Sequence, residues 1–279
     1  MVLESLMGMT EPRTLASSLF YKRTLRKAPC ACLHVVLASA SLLLYMVPAR
    51  ALAQQQIAGH ETTPTVARQN EVTAIDILLE PDATMLLHCA ENNARLLKVS
   101  PKGFSLDATH RPHITLVQRF VRTADLDKVY AAVGSVLAGT NVTGMKLEAF
   151  KYYYFPTTEF GLAGIVVRPT PELLNLQKDV IAAVKPFTVE TGTSAAFFTP
   201  NDPIIDPYSI EYVSTFVPEA SGEHFNPHVI TGFAPRAYLQ DLEAEPFTKF
   251  KFSPAGAAVY QLGQFGTAAK KLKEWDLKR

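Results

Sequence analysis

Arg111-Pro112-His113-Ile114-Thr115-Leu116 is the first of two segments that decide the fold of this chain. The second, Asn226-Pro227-His228-Val229-Ile230-Thr231, repeats its Pro-His start and its apolar, β-branched character 115 residues later. Such runs are typical of β-strands, along which side chains point alternately to opposite faces. Each segment is therefore predicted to form a strand with a histidine at its beginning.

In the first predicted strand, alternation places His113 and Thr115 on one face. Ile114, Leu116 and Phe120 lie on the other face, which we expect to pack into the core. The imidazole and the hydroxyl are therefore expected together on the face that is left free.

The second strand departs from this arrangement. The residue two positions after His228 is Ile230, and the hydroxyl of Thr231 falls on the opposite face of a regular strand. Two alternatives remain open at this point. Either a β-bulge turns Thr231 inward, or this half of the site has lost its hydroxyl.

Outward from these segments, strand-like and helix-like patterns alternate. Thr170-Pro171-Glu172 is a strong helix start, because it offers an N-cap, a proline at the first helical position and an early acid. The order predicts an α+β domain of two antiparallel-sheet lobes with an insertion at about 186–222. Strands are predicted over 73–79, 113–121, 142–154, 160–168, 229–233, 247–252 and 257–262, and helices after Asp82, Thr123, Thr170, Asp206 and Pro235.

The first 53 residues differ from the rest. Lys22, Arg23, Arg26 and Lys27 precede an apolar stretch over 28–47, and Ala51-Leu52-Ala53 matches the pattern read by signal peptidase. We predict a signal peptide over 1–53 that is cleaved after Ala53, a flexible linker over 54–70 and a folded domain over 71–279. The mature protein is then secreted or periplasmic; an uncleaved membrane anchor is the alternative.

Charge and cysteine content narrow the choice of partners. Removal of residues 1–53 leaves 21 basic and 24 acidic residues, a formal charge of −3, so the broad basic footprint of a general nucleic-acid binder is missing. Cleavage also leaves Cys89 as the single cysteine, which we expect to be a buried structural thiol. A monomer without extended nucleic-acid binding or stable membrane association is expected.

A pair of imidazoles suits the hydrolysis of a cyclic phosphodiester. One neutral histidine can take a proton from water while a protonated partner donates a proton to the leaving oxygen, and no metal or cofactor is needed. A nearby threonine hydroxyl can donate a hydrogen bond to a non-bridging phosphate oxygen.

The segments His113-Ile114-Thr115-Leu116 and His228-Val229-Ile230-Thr231 resemble the two His-x-Thr/Ser-hydrophobic motifs of the two-histidine (2H) phosphoesterases, which include the RNA 2',3'-cyclic phosphodiesterases also called 2'-5' RNA ligases. The resemblance extends roughly from Ile75 to the C-terminus. It implies a bilobal fold with internal pseudo-twofold symmetry and a central cleft between the two motifs.

The resemblance also implies roles for single residues. His113 and His228 would be the general acid and base, and Thr115, with Thr231 if it turns inward, would bind phosphate. The substrate would be a nucleotide or an RNA end carrying a cyclic 2',3' or a 2'-5' phosphodiester. Possible substrate-binding residues near the motifs are Arg119, placed by alternation on the face of His113, Tyr153 of an aromatic run, and Arg236.

Three other interpretations compete with an acid/base enzyme. His110 and His224 could complete a four-histidine metal site, but Pro112 and Pro227 disfavour the helices that usually present such pairs. A non-catalytic protein could use the same cleft to hold a nucleotide or another phosphorylated ligand, and Ile230 motivates that alternative. A plain structural domain of the cell envelope would have no polar cavity at all.

Overall fold

The computed structural model describes residues 71–200 and 204–277. The predicted signal peptide and linker lie outside these residues. No helix in the described part of the chain is both long and apolar enough to span a bilayer.

The strands of the described residues form two sheets in which all neighbours are antiparallel. They are β1 (Val72–Pro81), β2 (Ile114–Arg122), β3 (Leu147–Pro156), β4 (Phe160–Val167), β5 (Thr188–Val189), β6 (His228–Pro235), β7 (Phe250–Phe252), β8 (Pro254–Leu262) and β9 (Ala268–Trp275). The strand order is β5-β2-β1-β8-β9 in the five-stranded sheet and β6-β4-β3-β7 in the other. Each sheet therefore contains one of the two Pro-His segments.

The helices are α1 (Ala83–Val99), α2 (Leu126–Ala138), α3 (Pro171–Val184), α4 (Pro207–Ala220) and α5 (Arg236–Ala244). The predicted start of α3 is confirmed, since the side chain of Thr170 accepts a hydrogen bond from the amide of Leu173. The predicted insertion contains β5 and α4, and α4 packs against β2. The expected α+β fold with two antiparallel sheets is confirmed.

One hydrophobic core joins the two sheets. Ile75 of β1, Leu147 of β3 and Val229 of β6 belong to the same buried cluster as Val133 of α2 and Val180 of α3. The two lobes are therefore halves of one compact unit, and β2 lies against β6 where they meet.

Two predicted element boundaries need correction, and one strand was not predicted. The helix predicted after Thr123 does not begin there, because a 3-10 turn over Thr123–Asp125 precedes α2, and the Thr123 hydroxyl instead bonds that of Thr73 at 2.8 Å. β3 begins at Leu147 rather than at Val142, which lies in another 3-10 turn. The sequence analysis also missed β9, a lysine-rich edge strand that lacks the β-branched residues by which strands are usually recognised.

The buried face of α1 contains two amides. Asn92 and Asn93 are buried beside Cys89 and Leu96, and Asn93 donates hydrogen bonds to the carbonyls of Phe104 and Thr231. These contacts tie α1 to β6 and to the loop before β2. Cys89 is buried as expected, and burial raises the pKa of its thiol to about 12.

Candidate active site

The same local contact orients both histidines of the Pro-His segments. The Nδ1 atom of His113 lies 2.6 Å from the carbonyl oxygen of Arg111, and that of His228 lies 2.7 Å from the carbonyl oxygen of Asn226. The intervening prolines restrict the backbone and keep the residue before them extended, which favours this repeated geometry. A carbonyl oxygen only accepts hydrogen bonds, so Nδ1 carries a proton in both rings.

The Nε2 atom of His113 faces a buried carboxylate. Asp76 Oδ2 lies 3.2 Å from this nitrogen, and it accepts hydrogen bonds from Thr115 Oγ1 at 2.7 Å and from Gln118 Nε2 at 3.2 Å. Asp76 has no exposed surface. Because this oxygen accepts both hydrogen bonds, the Nε2 atom of His113 faces an acceptor, and that arrangement favours the doubly protonated imidazole.

The surroundings of His228 are aromatic instead. The ring of Phe155 lies 4.9 Å from the imidazole between centroids, and that of Tyr153 lies 6.3 Å away. Among residues 71–200 and 204–277, none forms a hydrogen bond with the Nε2 atom of His228. With its proton on Nδ1, a neutral His228 leaves Nε2 free to accept a proton.

These environments shift the two imidazole pKa values in opposite directions. Burial lowers the pKa of His113, but the hydrogen bond and the charge of Asp76 outweigh burial and raise it above its ordinary value of 6.5. For His228, burial is the largest effect and lowers the pKa below 6.5, and the positive charge of His113 lowers it further. At a pH between the two pKa values, His113 is the ring that holds a second proton and His228 is the neutral ring.

Thr115 lies beside His113, as alternation predicts. Its hydroxyl proton is directed to Asp76 rather than to open space. A phosphate oxygen would have to compete with that carboxylate for this donor, so the role of Thr115 as a phosphate ligand stays a proposal.

Thr231 does not reach the cleft, which corrects its prediction as a phosphate ligand. The pairing of β4 with β6 moves from Gly164–Ile230 to Ala163–Gly232, so a bulge does occur at Thr231. Its hydroxyl is nevertheless fully buried, where it accepts from Asn92 Nδ2 at 2.8 Å and donates to the carbonyl of Ala163 at 3.2 Å. The second half of the site therefore presents Ile230 where the first half presents a hydroxyl.

Arg119 does not share the face of His113, and the prediction from regular alternation is wrong. The β1–β2 pairing moves from Ile77–Val117 to Leu78–Thr115, which leaves Leu116 in a bulge. The extra residue brings Gln118, not Arg119, to the face of Asp76. The guanidinium of Arg119 instead donates to the carbonyl of Ser214 in α4 at 3.2 Å.

Arg236 is also remote from His228. The two residues lie at opposite ends of β6, which at about 3.3 Å per residue separates their Cα atoms by roughly 20 Å or more. The side chain of Arg236 is exposed at the first position of α5. The expectation that it contacts substrate next to the second motif is therefore corrected, whereas Tyr153 does lie beside His228.

A cavity between the two sheets opens beside His113. It is lined mainly by apolar and aromatic side chains, with Arg111 and His110 as its basic groups. The remaining lining residues are Phe104, Leu106, Leu162, Ile230, Phe265, Gly266 and Thr267. The cavity thus has a basic side at His113, His110 and Arg111 and an apolar side at Ile230, and His228 is not among its lining residues.

Two aromatic residues at this site were not predicted. Phe265 lies at the cavity in a left-handed conformation, with φ of 57°, which is unusual for an aromatic residue and is common at functional sites. Tyr212 of α4 approaches from the insertion; burial raises the pKa of its phenol, and the charges of Tyr208, Asp76 and Tyr153 add to the shift. The insertion also contacts β2 directly, through the hydrogen bond from Arg119 to Ser214.

Three other histidines lie in the part of the chain that the structure describes. His110 lines the cavity and stacks on Phe104 with 4.6 Å between centroids, whereas His88 stacks on Phe250 at 3.8 Å and His224 is exposed. Within residues 71–200 and 204–277, no three His, Cys, Asp or Glu side chains are grouped closely enough to hold a metal ion.

Asp76 is the most important residue that the sequence analysis missed. It interrupts the run Ala74-Ile75-Asp76-Ile77-Leu78, and acids are seldom fully buried without a partner. A lone acid within an apolar strand is therefore the signal that could have identified it. Gln118 had no such signal, because only the bulge at Leu116 turns it toward Asp76.

The chain matches no protein-family model and no curated protein sequence. Among solved structures it is similar to the protein TT0787 of Thermus thermophilus, with 17% identity and a TM-score of 0.43 over 74% of this chain and 98% of that one. A phosphoesterase (14% identity, TM-score 0.35) and Usb1 of Kluyveromyces marxianus (11%, 0.34) each align over 74% of this chain and 99% of their own. Similarity at this level does not assign a family or an activity.

Proposed function

We propose that this protein is a phosphodiesterase that hydrolyses a cyclic 2',3' or a 2'-5' phosphodiester of a nucleotide or an RNA end. His113 is the general acid and His228 is the general base. The observation that carries the proposal is that both imidazoles have the same contact between Nδ1 and a backbone carbonyl, but only the Nε2 atom of His113 faces a carboxylate. A cationic and a neutral imidazole that act on the same phosphate are the pair that such hydrolysis requires.

In the proposed reaction, the free Nε2 of His228 takes a proton from water as the water oxygen bonds to phosphorus. The bond between phosphorus and the leaving ribose oxygen breaks, and that oxygen takes the Nε2 proton of His113. His228 ends as the cation and His113 as the neutral ring. Proton exchange with solvent then restores the starting state.

The cavity beside His113 supports a substrate with an uncharged ring near the reacting phosphate. Its wall of Phe104, Leu162, Ile230 and Phe265 suits a nucleobase or sugar better than a second phosphate. The sequence has no basic stripe that would follow a long nucleic-acid backbone, which favours a nucleotide or a chain end.

The test is hydrolysis of a 2',3'-cyclic nucleotide and of a short RNA with a cyclic-phosphate end by the purified protein, with EDTA present. We expect turnover that survives EDTA and falls by roughly 10²-fold or more in His113→Ala and in His228→Ala. His224→Ala, which changes an exposed histidine outside the site, is the control and should retain full activity.

A folded wild-type protein that hydrolyses none of these diesters would contradict the proposal. Activity that is lost with EDTA, or that persists in either histidine variant, would contradict the two-histidine mechanism. Circular dichroism of each variant establishes that a loss of activity is not a loss of fold.

A non-catalytic role as a binding protein is the second candidate. It is favoured by the placement of both threonine hydroxyls, since that of Thr231 is buried and that of Thr115 is directed to Asp76. Calorimetry with a nucleoside 3'-monophosphate distinguishes the two functions, because a binding protein would hold the nucleotide tightly and show no turnover of the cyclic diester.

A further inference from the structure

Asp76 is an unusual residue for a site that is proposed to bind an anion. Its carboxylate is fully buried in β1, and one of its oxygens contacts Thr115 and Gln118 of β2 and also His113, which directly precedes that strand. The other oxygen, Oδ1, has no hydrogen-bond partner among the described residues. A buried carboxylate so incompletely satisfied calls for a functional explanation.

His113 is the group that balances this charge. The other titratable groups around the pair are Glu80 of β1, Tyr212 of α4, Tyr260 of β8 and His228 of β6. Lys271 of β9 is engaged elsewhere, since its ammonium lies 3.0 Å from Glu80 and 2.6 Å from Glu274. The Asp76–His113 pair is thus surrounded by aromatic groups and by the separate Glu80–Lys271 ion pair, and the full burial of Asp76 strengthens its interaction with His113.

We propose that Asp76 is a positioning residue that holds the His113 imidazole in its doubly protonated form and so fixes the direction of proton transfer from His113 to the leaving group and from water to His228. This inference rests on the proposed function. Asp76 acts through His113 and does not touch the substrate.

The same carboxylate opposes substrate binding. The two groups that would hold a phosphate oxygen in the first half of the site, His113 Nε2 and Thr115 Oγ1, both point at Asp76 Oδ2. A negative charge beneath the phosphate repels it and competes for both donors. Asp76 therefore increases turnover while it weakens the binding of an anionic substrate.

This balance predicts that kcat falls without a rise in KM when the charge of Asp76 is removed. Asp76→Asn keeps the shape of the side chain and removes the charge. We expect kcat for a 2',3'-cyclic nucleotide to fall by roughly tenfold to 10²-fold, because a neutral His113 is a poor acid. We expect KM to stay the same or to fall, because the repulsion is gone. A purely structural role would lower kcat and raise KM together.

The matched control is Glu80→Gln. Glu80 is a carboxylate of the same strand, but it pairs with Lys271 and Tyr260 rather than with His113. Its replacement removes the same charge from the neighbourhood and should change kcat far less than Asp76→Asn does. Equal losses in the two variants would overturn the specific role of Asp76.

A measurement on the unaltered protein keeps the proposal testable if Asp76→Asn does not fold. Nitrogen-15 NMR of the imidazoles at about pH 6.5, the ordinary histidine pKa, should find both ring nitrogens of His113 protonated and His228 largely protonated on Nδ1 alone. A neutral His113 at this pH would overturn the proposal. Because this readout needs no substrate, it can support or refute the role of Asp76 even if the protein hydrolyses no phosphodiester.

Discussion

The first and second Pro-His segments share a backbone plan and differ in what surrounds it. Around His113 the neighbours are polar, with Asp76 at the imidazole and Thr115 and Gln118 bonded to the same oxygen. Around His228 the neighbours are the aromatic rings of Tyr153 and Phe155, and Ile230 of the same strand contributes to the apolar side of the cavity. The comparison teaches that a repeated motif fixes where an imidazole lies, whereas the neighbouring strands decide which proton it holds.

The strongest way to break this comparison is to vary the leaving group. A ribose hydroxyl needs a proton as it leaves, whereas a nitrophenolate does not. His113→Ala should lose roughly 10²- to 10⁴-fold in kcat on a cyclic nucleotide but far less on a nucleoside nitrophenyl phosphodiester. His228→Ala should lose activity on both substrates to a similar extent.

The comparison would fail if His228→Ala were the variant rescued by the nitrophenyl ester. That outcome would assign the acid to the second half of the site. Release of nitrophenolate gives a continuous absorbance assay, so the two variants can be measured side by side at one pH.

A second change tests whether the missing hydroxyl matters. Ile230→Thr places a donor on the cavity side of β6, opposite Gly164, where the first half has Thr115. A hydrogen bond to a charged phosphate contributes about 1.5–3 kcal/mol, so we expect KM for the cyclic nucleotide to fall by roughly tenfold to 10²-fold. Steady-state kinetics measures this effect.

Ile230→Val is the matched control for that substitution. Valine has the shape of threonine without its hydroxyl, so it enlarges the cavity by the same amount. If valine lowers KM as much as threonine does, space rather than hydrogen bonding is the cause.

The smallest effect on activity is expected at Thr231. Thr231→Val removes the partner of Asn92 Nδ2 in the core between α1 and β6. An unsatisfied buried amide costs about 1–3 kcal/mol, so the free energy of unfolding should fall by that amount while KM stays unchanged. Denaturant titration and kinetics measure the two quantities. A clear rise in KM in a protein of unchanged stability would return Thr231 to the phosphate site.

The sequence predicted those parts of the fold that rest on local rules. The N-cap at Thr170 follows from capping preferences, and it occurs. The two strands that begin at the Pro-His segments follow from the alternation of β-branched residues, and both of these strands occur. The edge strand β9 was not predicted, because its charged residues do not form a hydrophobic pattern. The burial of Asn92 and Asn93 was not predicted either, because hydrophobic periodicity does not identify polar residues whose partners are distant in sequence.

The site shows the same limit. Alternation brought His113 and Thr115 together, but a bulge at Leu116 exchanged the predicted Arg119 for Gln118. Local pattern could not choose between the two alternatives at Thr231, because the choice depends on Asn92 and on the carbonyl of Ala163. Asp76 reaches His113 only through the pairing of β1 with β2, a contact between residues far apart in the chain.

The pH dependence of kcat/KM tests the central claim, that His113 is the acid and His228 the base, most directly. Activity of the wild type should fall as pH drops through the pKa of His228, which lies below 6.5, and as pH rises through that of His113, which lies above it. With a nitrophenyl ester, His113→Ala should keep only the fall at low pH, because the base alone remains. A variant that instead keeps only the fall at high pH would contradict the account, since its remaining group would be the acid.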